Sequence, residues 1–308
     1  MKHSALLRFK LTSCLWLALA VASSTQLPAA DAPATASTPA PAAATTAGTA
    51  TSTTAPAATP AAPTATTAAA SDAPKVNTAI VPAPQRGANY QTVHQKLVEQ
   101  AKAGGIDVLF VGDSITDFWI GVSSGRATGK DVWDKNFAPL KAADFGYNAD
   151  RTQNVLWRLQ NGEGQGFSPK AIVLMIGTNN VGVLTRANPT RGTPAQGVRN
   201  STPEAVEGVT AVVKELRKDF PTAKILLLSI FPRDDDDLAK AQIPQVNKEI
   251  AKLDDQQHVF YLDITKNFTG PDGNILPDAF GSDKLHPTAK GYQIWADAIK
   301  DPLANLLK

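Results

Sequence analysis

The sequence predicts an α/β domain wound around a parallel sheet, and three observations lead there. Short, β-branched apolar runs alternate with segments whose apolar residues recur at helical spacing, the pattern of successive βαβ units. Three of those runs break abruptly into polar turns: Gly112-Asp113-Ser114, Asn148-Ala149-Asp150 and Gly177-Thr178-Asn179-Asn180. The globular stretch, residues 76–308, is roughly 230 residues long, a length that suits one doubly wound domain.

The elements follow in order. Tyr90–Ala103 carries Val93, Leu97, Val98 and Ala101 at helical spacing and stops at Gly104-Gly105. The strand at 107–111 comes next, and its end places Ser114 at the carboxyl rim of the sheet, where α/β proteins bind ligands. Residues 120–135 contain Gly121-Val122-Ser123-Ser124-Gly125, a formal match to a nucleophile elbow. That motif needs a strand before it and a helix after it, and the polar RATGKD run that follows reads instead as surface loop. Ala143–Tyr147 is a second strand, followed by a helix through Arg158 with Asp150 as its N-cap. Ala171–Ile176 is the third strand. Val183–Ser201 is long for a connection and should lie over the rim beside Asn179, where Arg186, Arg191 and Arg199 could meet anionic groups. Thr202–Phe220 is a helix with Pro203 in its first turn. Lys224–Ile230 and His258–Ile264 are strands four and five, Ile243–Leu253 is a helix between them, and Pro287–Leu307 is a last helix, irregular near Pro302. Asp234–Asp237 lacks the spacing and turn glycine of a calcium loop and reads as a solvated acidic loop.

Composition narrows the function. The formal charge is +2, with no basic stripe interleaved with aromatics, so nucleic acid is excluded as a partner. Residues 1–22 read as an export signal: Lys2, Arg8 and Lys10 precede an apolar core at Leu11–Ala22 that is too short to span a bilayer, with Ala20-Val21-Ala22 as a cleavage site. The expectation is a periplasmic, cell-surface or extracellular protein with no membrane insertion after cleavage. Cys14, the only cysteine, falls inside that signal, which excludes disulfides and thiolate metal sites from the remainder. Residues 31–75 are nearly all Ala, Thr, Pro and Ser and read as a disordered linker, either a stalk or a dispensable tail. Nothing in the pattern specifies an oligomer.

Polar residues therefore gather at strand ends from four segments: Ser114, Asn148-Ala149, Asn179 and the loop Asp283-Lys284-Leu285-His286. A serine in such a place is more often a helix cap than a nucleophile, unless a base and an oxyanion site converge on it. Of the three histidines beyond the signal, His94 falls on the first helix, where a solvated or amphipathic position is expected, and His258 opens a strand and reads as structural. His286 alone has a carboxylate three residues before it, a spacing that lets Asp283 fold back onto Nδ1 and leave Nε2 to take a proton. The same spacing also suits a helix N-cap. Three histidines without cysteine make a poor metal set, so no metal or other cofactor is expected.

The blocks VGDSITDFW, ADFGYNADRTQNVLWRLQNGE, VLMIGTNN and DKLHPTAKGY, in that order, resemble the SGNH or GDSL hydrolases, most of all the platelet-activating-factor acetylhydrolase catalytic-subunit type. The resemblance implies a flavodoxin-like three-layer α/β/α sandwich with five parallel strands in order 2-1-3-4-5. It implies Ser114 as nucleophile, Asp283 and His286 as its partners, and an oxyanion hole from the Ser114 N–H, the Ala149 N–H and the Asn179 side chain. The family usually has glycine where this chain has Ala149; an alanine held at positive φ there would be strained, and Gly146 is a fallback donor. Ile115, Leu285 and Asn180 neighbour these residues and are expected to line a narrow acyl pocket. The expected activity is hydrolysis of small acyl esters, acetyl foremost, on a small-molecule, carbohydrate or cell-envelope substrate. A lipid esterase, an acyltransferase and a non-catalytic binding module on the same fold are the alternatives.

Overall fold

The central sheet is built from strands whose two faces are both apolar, as a sheet covered by helices on each side requires. The computed structural model describes residues 76–185 and 196–308. The signal, Cys14, the Ala/Thr/Pro-rich stretch, Arg186 and Arg191 lie outside the described residues. Five parallel strands form the sheet: β1 (Val108–Gly112), β2 (Ala142–Gly146), β3 (Ala171–Met175), β6 (Lys224–Leu228) and β7 (Val259–Leu262). They run in the order β2-β1-β3-β6-β7. Counting sheet strands alone, this is the expected 2-1-3-4-5. The numbering departs from it because a small antiparallel pair, β4 (Val183–Thr185) and β5 (Gln196–Val198), intervenes.

Alternate residues on each strand face opposite layers. Leu109, Val111, Ile172, Leu174, Ile225 and Leu227 pack against α1 (Ala88–Ala103), α4 (Thr152–Arg158), α5 (Thr202–Asp219) and α6 (Asp237–Ile250). Val108, Phe110, Val173, Leu226 and Leu228 pack against α2 (Ser114–Asp117), α3 (Lys130–Asn136) and α7 (Ala289–Leu306). The second layer is aromatic: Trp119 lies 4.4 Å from Tyr292 and 4.8 Å from Trp295, ring centre to ring centre.

Several expectations are corrected here. Residues 120–135 are not all surface loop, since α3 starts at Lys130 and buries Trp133 against Phe110. The helix expected from Ile243 starts six residues earlier, because Asp236 caps it by accepting the Ala239 N–H at 3.0 Å. The acidic run is therefore not a free loop: Asp234 pairs with Lys240 and Lys284, and Asp235 with Arg233. Asp150 does not cap α4; that position is Arg151, and Asp150 is wholly buried. Pro302 is accommodated within α7. Among the described residues no helix is long and apolar enough to cross a membrane.

Two glycines let α2 sit directly on the sheet. A Cβ on Gly112 would lie 2.5 Å from the Met175 carbonyl oxygen, and one on Gly146 would lie 2.2 Å from the Asp117 backbone nitrogen. At Gly146 the obstacle is main chain of α2 and cannot step aside; at Gly112 the Thr116 hydroxyl of α2, 2.1 Å away, is nearer still than the β3 carbonyl. Gly146→Ala is expected to cost about 3 kcal/mol or more, at or above the upper range for overpacking, read as a lowered urea midpoint at unchanged m-value.

Candidate active site

The site forms where β1, β2 and β3 end. Asp113 caps α2 by accepting the Ile115 N–H at 3.0 Å, which sets Ser114 as the first helical residue. Ser114 is 4% exposed. Its Oγ lies 2.9 Å from His286 Nε2, across 172 residues of sequence. On the other side of the ring, His286 Nδ1 lies 2.8 Å from Asp283 Oδ2. The Asp283–His286 segment is a tight turn, with Asp283 Oδ1 accepting the N–H groups of Leu285 and His286 at 3.2 and 3.0 Å. Burial raises the Asp283 pKa, but the bonds from His286 outweigh it and hold the carboxyl below its ordinary range. Asp283 is not the cap of α7; Thr288 is, through the Gly291 N–H. The Phe118 ring lies 4.7 Å from the His286 ring, and the Arg126 guanidinium stacks over Phe118 and stands 4.0 Å from Asp283 Oδ2.

The facing wall is the turn Tyr147–Asp150. Ala149 has φ +64°, the left-handed conformation that costs a residue bearing a Cβ about 1–2 kcal/mol. Its N–H has no acceptor among the described residues, and it is exposed. Gly146 is no substitute, because its N–H is already given to Asp144 Oδ1 at 2.8 Å. Asn179 Nδ2 donates to the Asp150 carbonyl at 3.0 Å. An amide carries two N–H bonds, so this contact orients the group and leaves the second one free.

Asp150 is held in turn by a buried network that sequence reasoning missed. Arg158, 1% exposed, donates from Nε to Asp150 Oδ2 at 2.8 Å, from Nη1 to Glu163, and from Nη2 to the Phe145 carbonyl at 3.1 Å. Gln85 Nε2 reaches Asp150 Oδ1 at 2.7 Å and the Asn148 carbonyl at 3.0 Å. Burial pushes the Asp150 carboxyl up to about 6 against the pull of Arg158. His94 belongs to the same network. It is 6% exposed with Nδ1 2.7 Å from Glu163 Oε1, which corrects the expected solvated position. The sequence signal available was the lone Arg158 among the apolar positions of α4, a charge that must find partners if buried.

Of the expected pocket residues, Ile115 and Asn180 are placed otherwise. Ile115 is 1% exposed and packs in the aromatic layer. Asn180 is fully buried; its side chain accepts the Thr152 N–H and donates toward Thr152, Gln153 and Asn200, so it organises the start of α4 and opens onto no pocket. Leu285 is half-buried against the same layer as Ile115. Arg199 is bound to main chain, donating to the Val183 and Asn179 carbonyls at 2.9 and 3.1 Å. His258 is exposed just before β7. A cavity of about 500 Å³ lies between α6 and the end of β7, lined by Pro232, Ile243, Tyr261 and Ile275 among others; Ser114, Asp283 and His286 do not line it. The serine–histidine contact lies outside this cavity. Among the described residues no group of three or more His, Cys, Asp or Glu is placed to hold a metal ion.

The family model for the GDSL-like Lipase/Acylhydrolase family matches residues 110–294, a span that contains Ser114, Ala149, Asn179, Asp283 and His286. The chain belongs to that family. Platelet-activating factor acetylhydrolase IB subunit alpha2 of Rattus norvegicus is 31% identical over 224 residues, covering 71% of this chain and 85% of that protein. The alpha1 subunit of Homo sapiens is 29% identical over 238 residues, covering 75% and 91%. A solved structure described as an acylhydrolase from Bacteroides fragilis NCTC 9343 shares the fold, with a TM-score of 0.54 and 18% identity over 73% of this chain and all of that one. The family makes the protein a carboxylic ester hydrolase.

Two predictions follow from this geometry. Ala149→Gly is expected to raise stability by about 1 kcal/mol or less, the relief of left-handed strain minus the extra chain entropy of glycine, measured by urea unfolding. Asp113 concerns pH. Burial pushes its carboxyl up to about 7; the Ile115 N–H and Arg233 oppose this and Asp150 adds to it. A raised pKa means the folded state binds the proton more tightly. Its contribution to stability is full below the unfolded value near 3.8 and is lost as pH rises through about 7. Asp113→Asn should therefore flatten the decline of the unfolding free energy between pH 4 and 7, and an unaltered slope would show that Asp113 does not titrate there.

Proposed function

We propose that the protein is a serine esterase that removes small acyl groups, acetyl foremost, through an acyl-enzyme. The observation that carries this reading is the unbroken chain of contacts from Asp283 through His286 to Ser114, at 2.8 and 2.9 Å. The Ser114 Oγ attacks the ester carbonyl while His286 Nε2 takes its proton, and Asp283 stabilises the imidazolium and holds the ring by Nδ1. Negative charge on the carbonyl oxygen meets the Ser114 N–H, the Ala149 N–H and the free N–H of Asn179, donors set before the reaction begins. Collapse expels the alcohol with the proton from His286. Water, deprotonated by the same histidine, then attacks the acyl carbonyl; the bond to Oγ breaks, His286 gives that proton back to Ser114, and the carboxylic acid leaves.

The acetyl preference is supported by the names of the relatives, which are acetylhydrolases. Export, read from residues 1–22, supports an acetylated carbohydrate or cell-envelope polymer as the substrate. The relatives' names favour a second reading, an acetyl ester of a phospholipid.

The test is turnover of 4-nitrophenyl acetate, with free acetate counted against acetylated acceptor, beside acetylated oligosaccharide and 2-acetyl phospholipid. Ser114→Ala should abolish release of acetate. Asn179→Ala should lower kcat by about 10²–10³ with KM little changed, since one oxyanion donor acts in the transition state. Full activity in Ser114→Ala would remove the mechanism, and acetate recovered mainly on an acceptor would make the enzyme a transferase.

A further inference from the structure

The Gly121–Gly125 loop, which lacks the strand and helix that a nucleophile elbow needs, touches the catalytic wall. It leaves the end of the helix that carries Ser114: the Gly121 N–H donates to the Asp117 carbonyl at 2.7 Å and the Gly125 N–H to the Gly121 carbonyl at 3.0 Å. Positive φ at both glycines, +76° and +73°, turns the loop back toward the site. Asp117 is fully buried, and its Oδ1 accepts the Ser123 N–H at 2.6 Å. The loop's second contact is made by the Ser123 hydroxyl. Its oxygen then accepts the Asn148 N–H at 2.9 Å. One residue, Ser123, thus joins the nucleophile's helix, through its N–H, to the turn that presents Ala149, through its hydroxyl oxygen.

We propose that Ser123 is a positioning residue for the oxyanion hole. Ala149 sits between pinned peptides. Ser123 holds the amide before it, Gln85 holds the Asn148 carbonyl, and Asp150 is tied down by Arg158 and Asn179. The strain of a left-handed alanine is comparable with the net contribution of one such hydrogen bond, so the turn needs its anchors to stay in place. Without the Ser123 oxygen, Asn148 loses its acceptor, Ala149 relaxes toward negative φ, and its N–H swings away from the position of the oxyanion. The two contacts are complementary: Asp117 fixes the Ser123 backbone through its N–H, and the hydroxyl oxygen is the acceptor for Asn148.

This inference rests on the Ser114 esterase reading, and the experiment separates the two. Wild type, Ser114→Ala, Ser123→Ala, Ser123→Thr, Ser123→Cys, Ala149→Gly and the Ser123→Ala/Ala149→Gly double variant are assayed with 4-nitrophenyl acetate as full chains, with urea midpoints in parallel. Ser123→Ala is expected to lower kcat by about 10-fold, a partial misplacement of one donor, while KM stays within about twofold. Ser123→Thr keeps the hydroxyl and should keep kcat. Ser123→Cys retains the shape with a weaker acceptor, should fall between, and carries the comparison if Ser123→Ala does not fold. In the Ala149→Gly background, where no strain has to be held, loss of Ser123 should cost less than in the alanine protein. Unchanged kcat in Ser123→Ala or Ser123→Cys overturns the inference, as does a loss confined to the urea midpoint or an equal kcat loss in both backgrounds. Full activity in Ser114→Ala fails the esterase reading instead.

Discussion

The site depends on a guanidinium kept out of water. Arg158 is 1% exposed, and burial opposes its charge, but Glu163 and Asp150 outweigh that cost and hold it protonated. A buried pair of this kind contributes little net stability; breaking it is what costs, because the partners are left charged and unpaired. Here each nitrogen of the guanidinium also has a structural address. One reaches the end of β2 at Phe145, one reaches Glu163, and one reaches Asp150, whose carbonyl orients Asn179. A charge far from any solvent thus sets the direction of a donor at the surface. The network is the reason a short turn between β2 and α4 can hold a strained residue in place.

Much of this was legible in the sequence, for identifiable reasons. The buried strands announce themselves because a sheet covered on both faces needs continuous apolar runs, and β1, β3 and β6 are such runs. Ser114, Asn179, Asp283 and His286 were visible because they stand at the ends of those runs or in a recognisable block. What stayed hidden is long-range or polar. The first turns of α6 read DLAKAQ, with no apolar stripe to betray them, and its start is fixed by the Asp236 cap. The β4–β5 pair is held by main-chain bonds, which leave no residue signature. His94 looked solvated because its partner, Glu163, lies 69 residues away. Asn180 adjoins Asn179 yet faces the interior, since successive residues of a turn need not share a side.

Strain is placed where it is used. Among the described residues four without glycine's freedom have positive φ, and two of them, Ala149 and Lys284, flank the reacting groups. At Lys284 the conformation closes the turn that brings the Asp283 carboxylate onto the His286 ring, and the side chain and carbonyl are both anchored to Asp234. Such conformations persist only when neighbours over-determine them. Both are so determined, one by Ser123, Gln85 and Asp150, the other by Asp234 and Gly281.

The contact between Ser114 and His286 spans 172 residues, whereas Asp283 and His286 are three apart. The acid and base halves of the device can therefore assemble locally, in a single turn. Ser114 joins them only after the chain has closed a loop of 172 residues, and contacts of such separation are slow to form because their entropy is lost before any reward is returned. An incompletely folded chain holds a serine without a base. On the proposed mechanism, hydrolysis therefore begins only once the native topology has closed.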